Sequence, residues 1–135
     1  MAKRVLCCGT FDYLHPGHEA FLKQASALGD ELVVVVARDE NVYRIKGHFP
    51  DHDEESRRKN IENLGIASWV QLGYAGANLL KVVEDISPAI IALGYDQGKP
   101  AGLHEHFPDC RIIVLDPYQP ERYKSSFIRQ KQAGE

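Results

Sequence analysis

The sequence predicts a Rossmann-like doubly wound α/β domain built on a five-stranded parallel sheet. Apolar runs such as Leu32-Val33-Val34-Val35-Val36 and Ile90-Ile91-Ala92-Leu93 lack the polar alternation of a half-exposed strand, so they fit strands buried on both faces. Between the runs lie stretches with apolar residues at helical spacing, the alternation of strand and helix that a parallel sheet requires. No linker, internal repeat or low-complexity segment interrupts that order, so residues 1–135 are expected to form one domain.

The first strand is expected over residues 4–8. A helix over about residues 17–28 follows, with Phe21, Leu22, Ala25 and Leu28 on one face and Gly29 as its stop. The second strand covers residues 31–37, and the charged segment Arg38 to Gly47 after it reads as a loop. A helix over about residues 53–64 opens on Asp51, Asp53, Glu54 and Glu55, acids suited to a helix N-terminus. Only Ile61 and Leu64 are clear core contacts there, so its early turns should be exposed or line a site. A short strand at residues 69–72 leads through a loose turn at 73–76 into a helix near 77–86, where Leu79, Leu80, Val83 and Ile86 repeat at helical spacing. Ser87-Pro88 breaks it. Strands at residues 89–93 and 111–115 complete the sheet, and a last short helix is expected near Ser125 or Ser126.

The chain is 44% hydrophobic and 26% charged with a net charge of −3, ordinary for a soluble globular protein. No basic stripe is present, which argues against nucleic-acid binding. No apolar run reaches membrane-span length and the N-terminus lacks a signal-peptide core, so a cytoplasmic protein is expected. Cys7 and Cys8 are adjacent on a strand and should face opposite sides of the sheet. With Cys110 they read as small buried hydrophobes, since no C-x-x-C occurs. Trp69 reads as core or interface, and His104 with His106 as part of a polar loop.

In a doubly wound sheet ligands sit beyond the carboxyl ends of the strands. That rule gathers residues 9–18, 38–47, 94–98 and 116–126 around one cleft. The first of these is Gly9-Thr10-Phe11-Asp12-Tyr13-Leu14-His15-Pro16-Gly17-His18. Gly9 lets the backbone bend or approach a ligand closely. Pro16 and Gly17 prepare a helix start, so His15 and His18 fall where unpaired N–H groups and the helix dipole favour an anion. Two imidazoles at such a spot suit a polyphosphate, and neither is expected to be needed for folding. The alternative is a tight turn with two surface histidines. Neither G-x-x-x-x-G-K-[ST] nor G-x-G-x-x-G follows a strand anywhere in the chain.

The same string resembles the signature G-[TS]-F-D-x-[LF]-H-x-G-H of the nucleotidylyltransferase superfamily and matches every defined position. Arg122-Tyr123-Lys124-Ser125-Ser126-Phe127-Ile128-Arg129 resembles its second signature. The resemblance covers Arg4 to Arg129. It is greatest to archaeal-type FAD synthases, through residues 28–39 and Leu93-Gly94-Tyr95-Asp96-Gln97, and next to glycerol-3-phosphate cytidylyltransferases. Two features depart from the FAD-synthase pattern: only Cys110 stands where a cysteine pair is usual, and residues 73–78 are glycine-rich where charge is usual.

The resemblance implies transfer of a nucleotidyl group from ATP or CTP to a phosphomonoester, ATP and FMN giving FAD being favoured, with pyrophosphate released. It implies catalytic roles for His15, His18, Lys46 and Ser126. Gly9, Thr10, Phe11, Gly17, Gly94, Asp96, Lys124, Ser125 and Ile128 would bind the nucleotide, and Asp12 and Arg57 the phosphate of the second substrate. The resemblance also allows Arg57 to brace the loop. By residue chemistry alone, Lys46 could be a solvated loop charge, Arg57 a surface pair, Asp96 a turn residue and Ser125 or Ser126 a plain helix cap. Mg²⁺ would travel with the nucleotide, no protein metal cage being evident, and a homodimer is common in such families. A nucleotide-binding protein without turnover is the alternative of another class.

Overall fold

A computed structural model describes residues 3–94 and 102–115. The strands are β1 (Arg4–Gly9), β2 (Glu31–Val36), β3 (Trp69–Leu72), β4 (Ile90–Leu93) and β5 (Arg111–Val114). They join in one sheet in the order β3-β2-β1-β4-β5, with every pairing parallel. The chain winds outward from β1 to β3, returns to lay β4 on the other side of β1, and winds outward again. The reversal between β1 and β4 opens the crevice that the doubly wound fold uses for ligands.

The helices are α1 (Pro16–Ser26), α2 (Asp39–Lys46), α3 (Glu54–Asn63), α4 (Leu79–Ile86) and the short α5 (Leu103–His106), with a 3₁₀ turn at Ala75–Ala77. Leu22 and Ala25 of α1 and Ile61 of α3 pack with Val5, Cys7, Val34 and Val36 on one face of the sheet. Val82, Val83 and Ile86 of α4 and Leu103 of α5 pack with Leu6, Val33, Val35 and Ile91 on the other. Each such valine or leucine contributes about 1.5–3 kcal/mol by leaving water. Cys7 and Cys8 point to opposite faces as expected, and burial pushes the Cys8 thiol up to about 12. Neither is a ready nucleophile.

Two segments differ in kind from the sequence reading. Residues 39–46 are a helix, not a charged loop. Asp39 and Glu40 occupy its first turn and Arg44 and Lys46 its last, the arrangement the helix dipole favours. Gly47 ends it at φ 82°, a left-handed conformation in which glycine carries no side-chain penalty. His104 and His106 likewise lie on α5 rather than in a loop. Trp69 is on the edge strand β3, part exposed, with the Arg4 guanidinium 4.9 Å from its ring. Among the described residues no helix is long and apolar enough to cross a membrane. Asp96, Lys124, Ser125, Ser126, Ile128 and the expected last helix lie outside the described residues.

Candidate active site

The loop after β1 is built from inside outward. A side chain on Gly9 would meet the Phe11 ring at 2.8 Å, so glycine here makes room for that ring. Phe11 itself takes a φ of 53°, uncommon for a bulky residue. Its ring is only 6% exposed and stands edge-on to His18, with centroids 5.5 Å apart. The ring is a buried wedge that supports His18. His15 is the N-cap of α1, where Nδ1 accepts the Gly17 N–H at 3.1 Å, and Pro16 follows at the first helical position. Because Nδ1 accepts, the proton of a neutral His15 sits on Nε2. The His15 and His18 rings are stacked, with centroids 3.9 Å apart and planes 27° apart.

Stacking and burial both oppose charge on this pair. Desolvation lowers the His15 pKa. Desolvation, then the neighbouring His15, bring His18 down to about 4, against a raising hydrogen bond to the Tyr13 backbone. Both rings are therefore neutral near pH 7. The unfolded chain binds the His18 proton near pH 6.5 and the folded chain only near pH 4, so this group's contribution to stability is complete above 6.5 and lost as the pH falls to 4. The loss is on the order of 3 kcal/mol. Urea unfolding from pH 7 to pH 4 should show stability falling, and His18→Asn should flatten the decline. An unchanged slope would mean that His18 titrates normally.

A mostly apolar cavity of about 400 Å³ opens at the carboxyl ends of β1, β2 and β3. Its walls include Cys8, Val35, Val42, Ile45, Leu79 and Val82, and its rim includes Thr10 and Lys46. Lys46 ends α2, and its Nζ lies 3.5 Å from Thr10 Oγ1. The structure thus joins two expected site residues that are far apart in the chain. Gly94 directly follows β4.

Asp12 and Arg57 both lie inside the protein. Asp12 is 4% exposed, and its carboxylate accepts the backbone N–H groups of Asp51 and His52, each at 2.9 Å, and faces His52 Nδ1 at 3.1 Å. The Tyr13 hydroxyl hydrogen-bonds to Asp51 in the same cluster. Arg57 is 0% exposed; it donates to the carbonyl oxygens of His52 (2.9 Å) and Thr10 (2.8 Å) and to Asp39 Oδ1 (2.6 Å). Both side chains are buried, and through these bonds they brace the β1 loop, one of the two roles implied for Arg57. The sequence reading missed Asp39 and Asn41, which the α2 helix brings in, and His52; the charge order of residues 39–46 was the signal available for the first two.

A family model described as cytidylyltransferase-like matches residues 6–131. This chain belongs to that family. Among curated relatives, the FAD synthase of Aciduliprofundum boonei is 52% identical over 94 residues, which are 70% of this chain and 62% of that protein. The FAD synthase of Thermoplasma volcanium is 38% identical over 133 residues, 95% of this chain and 92% of that one. The chain thus spans under two thirds of the first relative and nearly all of the second. Among solved structures, a lipopolysaccharide core biosynthesis protein from Thermoplasma volcanium superposes with a TM-score of 0.80 at 40% identity, over 88% of this chain and 100% of that one. A bifunctional NMN adenylyltransferase/ADP ribose pyrophosphatase from Francisella tularensis reaches 0.66 at 17% identity, over 97% and 41%, and shares the fold.

Proposed function

We propose that this cytidylyltransferase-like protein transfers the adenylyl group of ATP to the phosphate of FMN, forming FAD and pyrophosphate, with residues 1–135 acting as one domain. The observation that carries the acceptor is the cavity beside Thr10 and Lys46. Its volume of about 400 Å³ and mostly apolar walls suit a broad, flat ring system better than a small polyol phosphate. Relatives named FAD synthase support the same acceptor.

In this reading an FMN phosphate oxygen attacks the α-phosphorus of ATP. The bond from that phosphorus to the bridging oxygen breaks, and pyrophosphate leaves with the electron pair. The acceptor phosphate, with a second pKa near 6, is already mostly dianionic, so no general base is required. His15 and His18 donate N–H groups to oxygens that gain charge, and Lys46 follows the charge toward pyrophosphate. Among the described residues no three His, Cys, Asp or Glu side chains converge on a metal position, and Asp12 already accepts internal N–H groups. Mg²⁺ would travel with the nucleotide's phosphates and neutralise their charge. Gly94, Asp96, Lys124, Ser125, Ser126 and Ile128 would complete the nucleotide side.

Pyrophosphate release is to be measured with ATP and CTP against FMN and glycerol 3-phosphate. ATP with FMN should be fastest. Faster turnover of CTP with glycerol 3-phosphate would replace the substrate assignment, and no release with any pair would favour a non-catalytic nucleotide-binding protein. Lys46→Ala should lower kcat at least tenfold, about 1.4 kcal/mol of barrier, with a smaller change in nucleotide KM. An unchanged kcat would make Lys46 a solvated surface charge.

A further inference from the structure

The first turn of the helix that carries Lys46 is anchored by a dense set of hydrogen bonds. Arg38, at the N-cap of α2, makes no side-chain cap to the helix. Glu54 supplies that oxygen from the start of α3: its Oε1 accepts the Asp39 N–H at 2.9 Å. Asp39 returns the favour, since its Oδ2 accepts the Glu54 N–H at 3.3 Å. The two helices thus cap each other. Around this exchange, Arg38 Nη1 lies 3.4 Å from Glu54 Oε2, and Arg57 Nη2 donates to Asp39 Oδ1. Arg57 also donates to the Thr10 carbonyl, which ties the pair of helix ends to the β1 loop. Arg38 Nε to the Gly73 carbonyl (2.6 Å) and Asn41 Nδ2 to the Tyr74 carbonyl (2.8 Å) complete the anchorage in the first turn. Toward Lys46 the helix emerges into solvent, with Ile45 74% exposed.

This is a lever. At 1.5 Å per residue, Lys46 stands about 10 Å along the axis from Asp39, so a tilt of about 10° at the first turn moves it by about 2 Å. Displacements of that size matter to groups that must meet a phosphate. We infer that Glu54 and Asp39 are positioning residues: their mutual capping of α2 and α3 sets where the Lys46 ammonium stands relative to Thr10 and the polyphosphate. The inference rests on the reading of Lys46 as a phosphate contact, and it goes beyond it by naming the residues that aim it.

Inorganic tripolyphosphate is the probe, titrated calorimetrically into the wild-type chain, Lys46→Ala, Glu54→Ala, Glu54→Gln and the double variant Glu54→Ala/Lys46→Ala, with melting curves alongside. Lys46→Ala and Glu54→Ala should each weaken binding about fivefold, the effect of one exposed charge pair. The double variant should bind no more weakly than Lys46→Ala, because without the ammonium there is nothing left to aim. Glu54→Gln keeps an oxygen for the Asp39 N–H and should bind more nearly like wild type. Where Glu54→Ala fails to fold, Glu54→Asp, one methylene shorter, takes its place with the same expected loss. Losses that multiply in the double variant, or a Glu54→Ala chain that melts early yet binds normally, would overturn the inference. A wild-type chain that does not bind tripolyphosphate would overturn it together with the site reading. Failure of FMN as acceptor would leave this result unaffected, since no acceptor is present.

Discussion

Replacing His15 or His18 by alanine should lower kcat by about 10²–10³, roughly 3–4 kcal/mol of transition-state stabilisation for each donor removed. The structure gives this expectation its form. Both rings are held neutral near pH 7 by desolvation, so each has one N–H to donate, and on His15 that proton is on Nε2 because Nδ1 caps the helix. The two should act on one developing charge, so the double alanine variant should lose less than the product of the single losses. Stability separates the pair. His15→Ala removes an N-cap and should cost about 1 kcal/mol, whereas His15→Asn keeps a capping oxygen and should restore it. Both asparagine variants should also keep more activity, since an amide can donate. Single-turnover kinetics beside urea unfolding decide the matter. Normal rates in the alanine variants, or losses explained by unfolding, would contradict the catalytic role.

Arg57→Met should destabilise the fold by about 3 kcal/mol, the effect of leaving a buried charge partner uncompensated. The value stays near the lower end because Asp39 keeps 30% of its side chain in water. Two backbone carbonyls, of Thr10 and His52, would lose their donor as well. Arg57→Lys should recover little, because one ammonium cannot reach three acceptors that a planar fork reaches from a single position. The urea midpoint reads the effect. Wild-type stability in Arg57→Met would show that Arg57 is not the brace of the β1 loop.

Much of the fold was legible because its signals are local. The apolar runs became β1, β2 and β4, and the string from Gly9 to His18 carried its own strand end, turn and helix start. The α2 helix escaped because its outer residues, Tyr43 and Ile45, are apolar but exposed, so helical periodicity is weak there. Acids at 39–40, bases at 44 and 46 and Gly47 were the available evidence for it. The braces were not legible. Asp12 meets residues 51 and 52, and Arg57 meets 10, 39 and 52, and no sequence spacing reports such contacts. A buried arginine in a run of charged residues reads as a surface residue until the fold closes over it.

In the proposed reaction an adenylyl group passes to a flavin phosphate at the end of β1. The most direct measurement is a single turnover of α-³²P-labelled ATP with FMN by the purified chain. Label should move into a flavin dinucleotide at the rate at which pyrophosphate appears, and His18→Ala should slow both alike. Label that stays in ATP, or that leaves as AMP with no flavin product, would contradict the account.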